Sequence, residues 1–157
     1  MIRVQDLVQK SGIVIDLRLT DKVEAIGELA RFVCSVNGLG GAEEVANKIL
    51  EREEMMSTGI GYGIAIPHAR LQGIDRLYMA VARSAAGIEF NSLDGLPVNL
   101  IFMMVSPANT STEHTEVLSA LSRIMSYEEV RRGLLSAETP DEFLDVLVKA
   151  EDKYVGA

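Results

Sequence analysis

Residues 57–68 read Ser57-Thr58-Gly59-Ile60-Gly61-Tyr62-Gly63-Ile64-Ala65-Ile66-Pro67-His68. The three alternate glycines predict a loop whose backbone N–H groups can approach an anion closely. The apolar run from Ile64 to Ile66 predicts a short strand, since Pro67 favours extended geometry at the residue before it. Proline also fixes its own φ, so the backbone leading into His68 is stiff. The stretch therefore predicts a strand that delivers a histidine next to a glycine-rich loop.

Predicted helices and strands alternate on both sides of this stretch. Apolar and β-branched runs predict further strands at residues 13–15, 77–85 and 96–105. Apolar periodicity predicts helices at residues 42–54, 112–125, 128–135 and 140–151. An earlier helix is predicted after a Thr20 or Asp21 cap, with Val23, Ile26, Ala30 and Val33 on one face. The alternation, without repeats or linkers, predicts an α/β fold: a single domain over residues 1–157 in which helices cover a sheet.

The charge balance limits the partners. Lys and Arg number 15 against 23 Asp and Glu, the net charge is −8, and no basic block is present. We therefore expect neither nucleic acid nor an anionic membrane as the main partner. Cys34, the one cysteine, lies at the edge of a helical apolar stripe and is expected to be a small buried residue. No signal-peptide or membrane-helix pattern is seen, so we expect a cytoplasmic protein without membrane insertion.

Arg52 continues an apolar stripe. On the helix predicted at residues 42–54, Val45, Ile49 and Arg52 are spaced by four and three residues, so they share one face. The guanidinium would lie near the helix C-terminus, just before the glycine loop. It would either snorkel and pair with the helix dipole or offer a planar fork to phosphate oxygens. The spacing leaves both interpretations open.

Both histidines of the chain also have two interpretations. His114 is expected in the first turn of the helix at residues 112–125, three and four residues before Val117 and Leu118 on its inward face. It would either bond to a nearby backbone carbonyl, or donate an N–H to a phosphoryl oxygen and orient another imidazole. His68 is either a hydrogen-bonded loop histidine or a nucleophile beside an anion site.

Phosphoryl transfer is the chemistry that these residue types favour. Imidazole is nucleophilic near neutral pH, and the reaction needs in-line positioning with donors around the equatorial oxygens. Two histidines, an arginine and a glycine loop would supply these parts. A catalytic zinc site needs more protein ligands than two histidines provide, so a metal-dependent hydrolase is disfavoured. We expect no metal and no cofactor.

The stretch from Glu51-Arg52-Glu53 to Ala65-Ile66-Pro67-His68 resembles the type-2 enzyme IIA domain of the bacterial phosphoenolpyruvate-dependent phosphotransferase system, the fructose, mannitol and nitrogen-regulatory class. The resemblance extends over nearly the whole chain, through Asp21-Lys22, Gly87-Ile88-Glu89-Phe90, Asp94-Gly95-Leu96-Pro97-Val98 and Glu113-His114. It implies a mixed β-sheet flanked by α-helices. Two departures are Thr115, where leucine is frequent, and Ala69, where glycine is common.

The resemblance also implies roles for individual residues. His68 would be the phosphoacceptor through Nε2, His114 the second histidine that orients the site, and Arg52 the phosphate contact. Residues of the glycine-rich segment are predicted to bind phosphate through hydroxyl and backbone N–H groups: Ser57, Thr58, Gly59, Gly61 and Gly63. The donor would be a phosphohistidine carrier protein, and the acceptor an enzyme IIB or a regulatory target protein.

This class contains both transport and regulatory proteins. Its sugar-specific domains are often fused to membrane or carrier domains, and no such domain occurs in these 157 residues. The resemblance is therefore strongest to the stand-alone, nitrogen-related enzyme IIA. One alternative is a sugar-specific subunit that donates phosphate to a membrane permease IIB subunit. Another is a purely regulatory binding protein that controls its partners without onward transfer. No oligomeric state is predicted.

Overall fold

The computed structural model describes residues 2–109 and 112–156, which contain six α-helices and six β-strands. The helices are α1 (Val4–Leu7), α2 (Lys22–Val36), α3 (Ala42–Met55), α4 (Thr112–Met125), α5 (Glu128–Ser136) and α6 (Pro140–Tyr154). The strands are β1 (Ile13–Val14), β2 (Gly59–Gly61), β3 (Ile64–Ala65), β4 (His68–Leu71), β5 (Tyr78–Ile88) and β6 (Val98–Pro107). A single 3₁₀ turn, Lys10–Gly12, precedes β1. No helix in the two described ranges is long and apolar enough to cross a membrane.

Capping bonds confirm two predicted helix starts. The Asp21 carboxylate accepts a hydrogen bond from the backbone N–H of Glu24 at 3.0 Å, which satisfies an open donor in the first turn of α2. The Thr139 hydroxyl accepts one from the N–H of Glu142 at 3.1 Å, directly before Pro140 at the start of α6. These bonds explain why the chain becomes helical at these residues.

The six strands form one mixed sheet in which five follow the order β1-β5-β6-β3-β2 and the sixth, β4, also pairs with β6. Strands β5 and β6 are antiparallel, whereas β1 is parallel to β5. Strands β3 and β4 both pair in parallel with β6, one after the other along the same edge. Pro67 lies between them, and its carbonyl accepts a hydrogen bond from the N–H of Met104 at 2.9 Å. The mixed sheet flanked by helices confirms the predicted fold class.

Apolar side chains pack on both faces of the sheet. Helices α1, α4, α5 and α6 cover one face, and α2 and α3 cover the other, where Cys34 is buried as predicted. Strand β6 supplies Leu100, Phe102 and Met104 to the first face and Ile101, Met103 and Val105 to the second. Because its side chains are buried on both sides, β6 is a rigid base for the strands that pair with it.

Three local features differ from the predictions made from the sequence. The glycine-rich segment is not a loop throughout, because Gly59–Gly61 forms β2, which pairs with β3 as an antiparallel hairpin. His68 follows the predicted short strand, β3, but it also begins a further strand, β4, which is too short for its alternation to be recognised. Val23 is 57% exposed because it lies in the first turn of α2, while the rest of its predicted face is buried.

Candidate functional site

Strand β4 sets the direction of the His68 side chain. Its side chains alternate between the faces of the sheet. Ala69 and Leu71 are buried among the residues packed against α2 and α3. His68 and Arg70 therefore point to the other face. The parallel register pairs Arg70 with Ser106 of β6, so the ladder fixes the position of the histidine.

The His68 ring makes one hydrogen bond that selects its tautomer. Nδ1 lies 2.7 Å from the carbonyl oxygen of Ile66, two residues earlier in the chain. A carbonyl oxygen can only accept, so Nδ1 carries the proton and donates it. The lone pair is then on Nε2 of a half-buried ring, which gives His68 a nucleophilic nitrogen.

The surroundings of His68 favour its neutral form. Burial lowers the pKa of His68 below its usual value of 6.5, because the low-dielectric interior penalises the imidazolium. The positive charges of Arg52 and Arg70 lower this pKa further. The bond to the Ile66 carbonyl and the negative charge of Glu53 act in the opposite direction. The net lowering of the pKa favours the neutral, nucleophilic form of the His68 imidazole.

His114 faces His68 from the first turn of α4. Its ring centroid is 5.1 Å from that of His68, and the two planes meet edge to face at 69°. Its Nδ1 lies 2.5 Å from the Ser106 hydroxyl oxygen, and only 5% of the residue is exposed. Burial, and then the nearby charges of His68 and Arg70, lower the pKa of His114 to about 4. His114 is therefore a neutral imidazole bonded to a hydroxyl, not to the backbone carbonyl that was one alternative.

Arg52 lies in the last turn of α3. Its Nη1 donates to the carbonyl oxygen of Met56, just beyond the helix, at 2.8 Å. This bond is the helix-end interaction that the sequence offered as one interpretation. A guanidinium has further N–H donors in the same plane, so this bond does not exclude a second partner. Arg52 and His68 line the same cleft, and the positive charge of Arg52 lowers the pKa of His68.

These three side chains line one cleft of about 340 Å³. Its lining is formed by residues of α3, β4 and α4: Lys48, Glu51, Arg52, Met55, His68, Ala69, Arg70 and His114. The structure thus brings together His68, His114 and Arg52 as the sequence predicted. Lys48 and Arg70 add positive charge to the cleft lining, and the Glu51 carboxylate, 3.9 Å from the Lys48 ammonium, offsets part of it. Three cations against one carboxylate leave a net positive lining, which suits an anion.

The predicted phosphate-binding residues of the glycine-rich segment lie apart from this lining. The Ser57 hydroxyl donates to the carbonyl oxygen of Phe90 at 2.5 Å and accepts from the Gly59 N–H at 3.0 Å. The backbone N–H and hydroxyl of Thr58 both donate to the buried Glu53 carboxylate. These donors are engaged within the protein, so their phosphate-binding role stays a prediction without support from this geometry.

Gly61 and Gly63 shape the hairpin turn. They have φ values of 98° and 77°, which glycine adopts without strain, and they flank Tyr62 at the turn. The Tyr62 N–H donates to Asp94 at 2.9 Å, and the Gly63 carbonyl accepts from Asn99 at 2.8 Å. The two glycines thus fix the hairpin whose second strand leads to His68, and phosphate binding by them also stays a prediction.

Three residues of the site were missed in the sequence. Arg70 lies two residues after His68, so recognising β4 as a strand would have placed both side chains on one face. Ser106 stands out as a hydroxyl in the apolar run of β6, but nothing in the sequence pairs it with His114. Lys48 lies one turn before Arg52 on α3, and its spacing of four residues was the available signal.

Comparison with known proteins identifies relatives over most of the chain. Residues 6–150 match the family described as phosphoenolpyruvate-dependent sugar phosphotransferase system, EIIA 2. The chain is 45% identical over 128 residues to the PTS system fructose-specific EIIA component of Haloferax volcanii, covering 82% of this chain and 83% of that protein. It is 34% identical over 145 residues to the PTS system fructose-specific EIIABC component of Bacillus subtilis, covering 92% of this chain but 23% of that larger protein.

A solved structure of the same fold is also a relative in sequence. The fold superposes on the crystal structure of nitrogen regulatory protein IIA-Ntr from Neisseria meningitidis with a TM-score of 0.86 and 31% sequence identity, covering 92% of this chain and 98% of that one. The family match includes Arg52, His68 and His114 within residues 6–150. The chain belongs to the EIIA 2 family of the phosphoenolpyruvate-dependent sugar phosphotransferase system.

Proposed function

We propose that this chain is a phosphoryl carrier that accepts a phosphoryl group on Nε2 of His68 from a phosphohistidine carrier protein. The observation that carries the proposal is the 2.7 Å bond between Nδ1 of His68 and the carbonyl oxygen of Ile66. It leaves the Nε2 lone pair on a neutral, half-buried ring. The proposal treats residues 1–157 as one type-2 enzyme IIA domain and includes the cytoplasmic location expected from the sequence.

The proposed step exchanges one N–P bond for another. The lone pair of His68 Nε2 forms a bond to phosphorus while the bond between phosphorus and the donor imidazole nitrogen breaks. The electron pair of the broken bond returns to the donor ring. His68 keeps its Nδ1 proton, which stays hydrogen-bonded to the Ile66 carbonyl oxygen. The donor ring keeps the proton on its own second nitrogen. No proton is released, so the step needs no general base.

Arg52 and His114 would stabilise the transferred group. Its equatorial oxygens carry negative charge in the transition state, and preorganised donors lower the barrier. The guanidinium of Arg52 would hold these oxygens with the N–H groups that Met56 does not engage. His114, neutral with a pKa lowered to about 4, would donate one N–H to the same group and orient it.

The destination of the phosphoryl group has two candidates. The 45% identity to a fructose-specific EIIA component supports onward transfer to an enzyme IIB subunit. The similarity to a nitrogen regulatory protein supports the role favoured by the sequence, in which phosphorylation controls a regulatory target. A phosphoryl group adds about −1.5 to −2 of charge, enough to change a protein interface. Both candidates use the same His68 chemistry.

Label transfer tests the carrier role. The protein is incubated with a phosphohistidine carrier protein bearing ³²P, and the acid-labile label on this chain is counted. We expect uptake by wild type, none by His68→Ala, and slower uptake by His114→Ala. Uptake by His68→Ala at the wild-type rate would contradict the assignment.

A chase experiment separates the two destinations. The ³²P-labelled protein is purified and mixed with a fructose-type enzyme IIB domain. Rapid loss of label to that domain, at catalytic concentrations, supports the transport role. Retention of the label, together with a target protein that binds only one phosphorylation state in a pull-down, supports the regulatory role. A neighbouring gene for a membrane sugar subunit would point to transport.

A further inference from the structure

Ser106 is a buried hydroxyl near the end of an apolar strand. It is 0% exposed, and the residues before it on β6, from Leu100 to Val105, are all apolar. A buried hydroxyl is costly unless it is hydrogen-bonded. Its oxygen lies 2.5 Å from Nδ1 of His114, so the serine hydroxyl is hydrogen-bonded to that histidine. The proposed transfer to His68 does not itself involve this bond.

The sheet holds Ser106 at a fixed place relative to the phosphoacceptor. The register of β4 and β6 pairs His68 with Met104 and Arg70 with Ser106. His68 and Ser106 are therefore diagonal neighbours on one face of the sheet. His114 lies over this diagonal, bonded to Ser106 at one ring nitrogen and edge to face with His68. The backbone hydrogen bonds between β4 and β6 thus set the position of the His114 imidazole relative to that of His68.

The two histidines bond to partners of different chemistry. Ile66 offers a carbonyl oxygen, which only accepts, so it holds the proton of His68 on Nδ1. Ser106 offers a hydroxyl, which can also donate. Donation by the serine would place the proton of His114 on Nε2. His68 would then present an Nε2 lone pair that can bond to phosphorus. His114 would present an Nε2–H that can donate to an oxygen of the same phosphoryl group.

We propose that Ser106 is a positioning residue that donates to Nδ1 of His114 and holds it as the Nε2–H tautomer, so that His114 can donate to a phosphoryl group on His68. The opposite direction would leave a lone pair on Nε2 of His114. That lone pair would repel the anionic oxygens that the cations Arg52 and Arg70 attract into the cleft. The proposal rests on the proposed function of His68.

The tautomer of His114 can be measured in the wild-type protein before any phosphorylation. Protein labelled with ¹⁵N in its histidines is studied by long-range ¹H–¹⁵N NMR near neutral pH, with variants His68→Ala and His114→Ala used for assignment. We expect His68 as the Nδ1–H tautomer and His114 as the Nε2–H tautomer. A His114 ring protonated on Nδ1 would overturn the proposal, whatever the phosphorylation assay shows.

The variant Ser106→Ala removes the donor, and Ser84→Ala is the matched control. Ser84 is also 0% exposed and lies in the neighbouring strand β5, but its hydroxyl accepts from the Gly87 N–H. We expect Ser106→Ala to release His114 into a mixture of tautomers and ring orientations. Label transfer should then slow, by at most about tenfold, which is the effect of losing the whole bond from Nε2 to a charged group. Ser84→Ala should change neither.

The outcomes separate the two proposals. An Nε2–H tautomer and a wild-type transfer rate in Ser106→Ala would overturn the role of Ser106 while leaving the carrier function intact. Failure of wild type to take label on His68 would overturn the carrier function, and the tautomer would still be known. If Ser106→Ala does not fold, the wild-type NMR measurement decides the question alone.

Discussion

The imidazole rings of His68 and His114 meet edge to face, with centroids 5.1 Å apart and planes at 69°. They come from β4, which pairs with the end of β6, and from α4, the helix that follows β6 in the chain. Neither ring alone distinguishes a functional site from a structural histidine. Their juxtaposition supports the proposed site, because in each ring one nitrogen is hydrogen-bonded, the other is available, and the pKa is lowered.

The stability of the protein should fall between pH 6.5 and 4 because of His114. The pKa of His114 is about 4 in the folded protein against 6.5 ordinarily, so in this interval the unfolded chain binds a proton that the folded chain does not. Proton binding therefore favours unfolding as the pH is lowered. Urea unfolding near pH 7 and near pH 4.5 should show a smaller loss of stability in His114→Gln than in wild type. Equal losses would contradict the lowered pKa.

Two substitutions of Arg52 should separate charge from geometry. Arg52→Lys keeps the positive charge, so the pKa of His68 should stay low, but transfer should slow about tenfold because an ammonium lacks the guanidinium fork. Arg52→Gln removes the charge and should also raise the pKa of His68, since that charge lowers it. NMR titration and label transfer give the two readouts.

Arg31→Gln is the control for this pair of substitutions. Arg31 is exposed on α2 and pairs with Glu28 on the same helix. It should change neither the pKa of His68 nor the transfer rate. An unchanged transfer rate in both Arg52 variants would show that Arg52 does not hold the phosphoryl oxygens.

Glu53 should be a main determinant of stability near the site. Its carboxylate is buried, accepts from the N–H and hydroxyl of Thr58, and lies 2.6 Å from the Lys22 ammonium. Glu53→Ala leaves these partners without their acceptor and should cost about 3 kcal/mol of unfolding free energy. Exposed Glu54→Ala on the same helix should cost less than about 0.5 kcal/mol. Urea denaturation measures both, and similar values for the two variants would refute this role.

Gly59→Ala should destabilise the hairpin by about 1–3 kcal/mol. An added Cβ would lie 2.1 Å from the Ser92 hydroxyl oxygen and 2.9 Å from the Ser92 Cβ. Because both are side-chain atoms, the further substitution Ser92→Gly should recover part of the loss. Gly40→Ala, where a Cβ meets nothing within 4 Å, is the control. Lower transfer with unchanged stability in Gly59→Ala would instead favour the predicted phosphate-binding role.

Periodicity and caps were enough to predict most of the fold. The α4 bounds, Thr112–Met125, and the caps Asp21 and Thr139 agree with the sequence because they depend on neighbouring residues alone. Strand β4 was missed because its four residues become a strand only by pairing with β6. The hairpin was missed for the same reason, since β2 is held by pairing with β3 and its glycines suggest only a turn.

The site also contains residues that were predicted and residues that were missed because they depend on tertiary contacts. The roles expected of His68, His114 and Arg52 came from a family resemblance, and the structure brings all three to one cleft. Ser106 and Arg70 reach the site through the register of β4 on β6, a pairing between distant parts of the chain. The hydroxyls of Ser57 and Thr58 look like free donors in the sequence, but their acceptors come from tertiary packing and a neighbouring helix.

On phosphorylation, phosphorus should bond to Nε2 of His68 while the proton stays on Nδ1. Protein with ¹⁵N-labelled histidine, phosphorylated by the carrier protein, can be studied by ³¹P and ¹⁵N NMR. We predict phosphorus coupled to Nε2 of His68, a protonated Nδ1, and loss of the signal in His68→Ala. Phosphorus on Nδ1 of His68, or on His114, would contradict the role assigned to the Ile66 carbonyl and with it the account of the site.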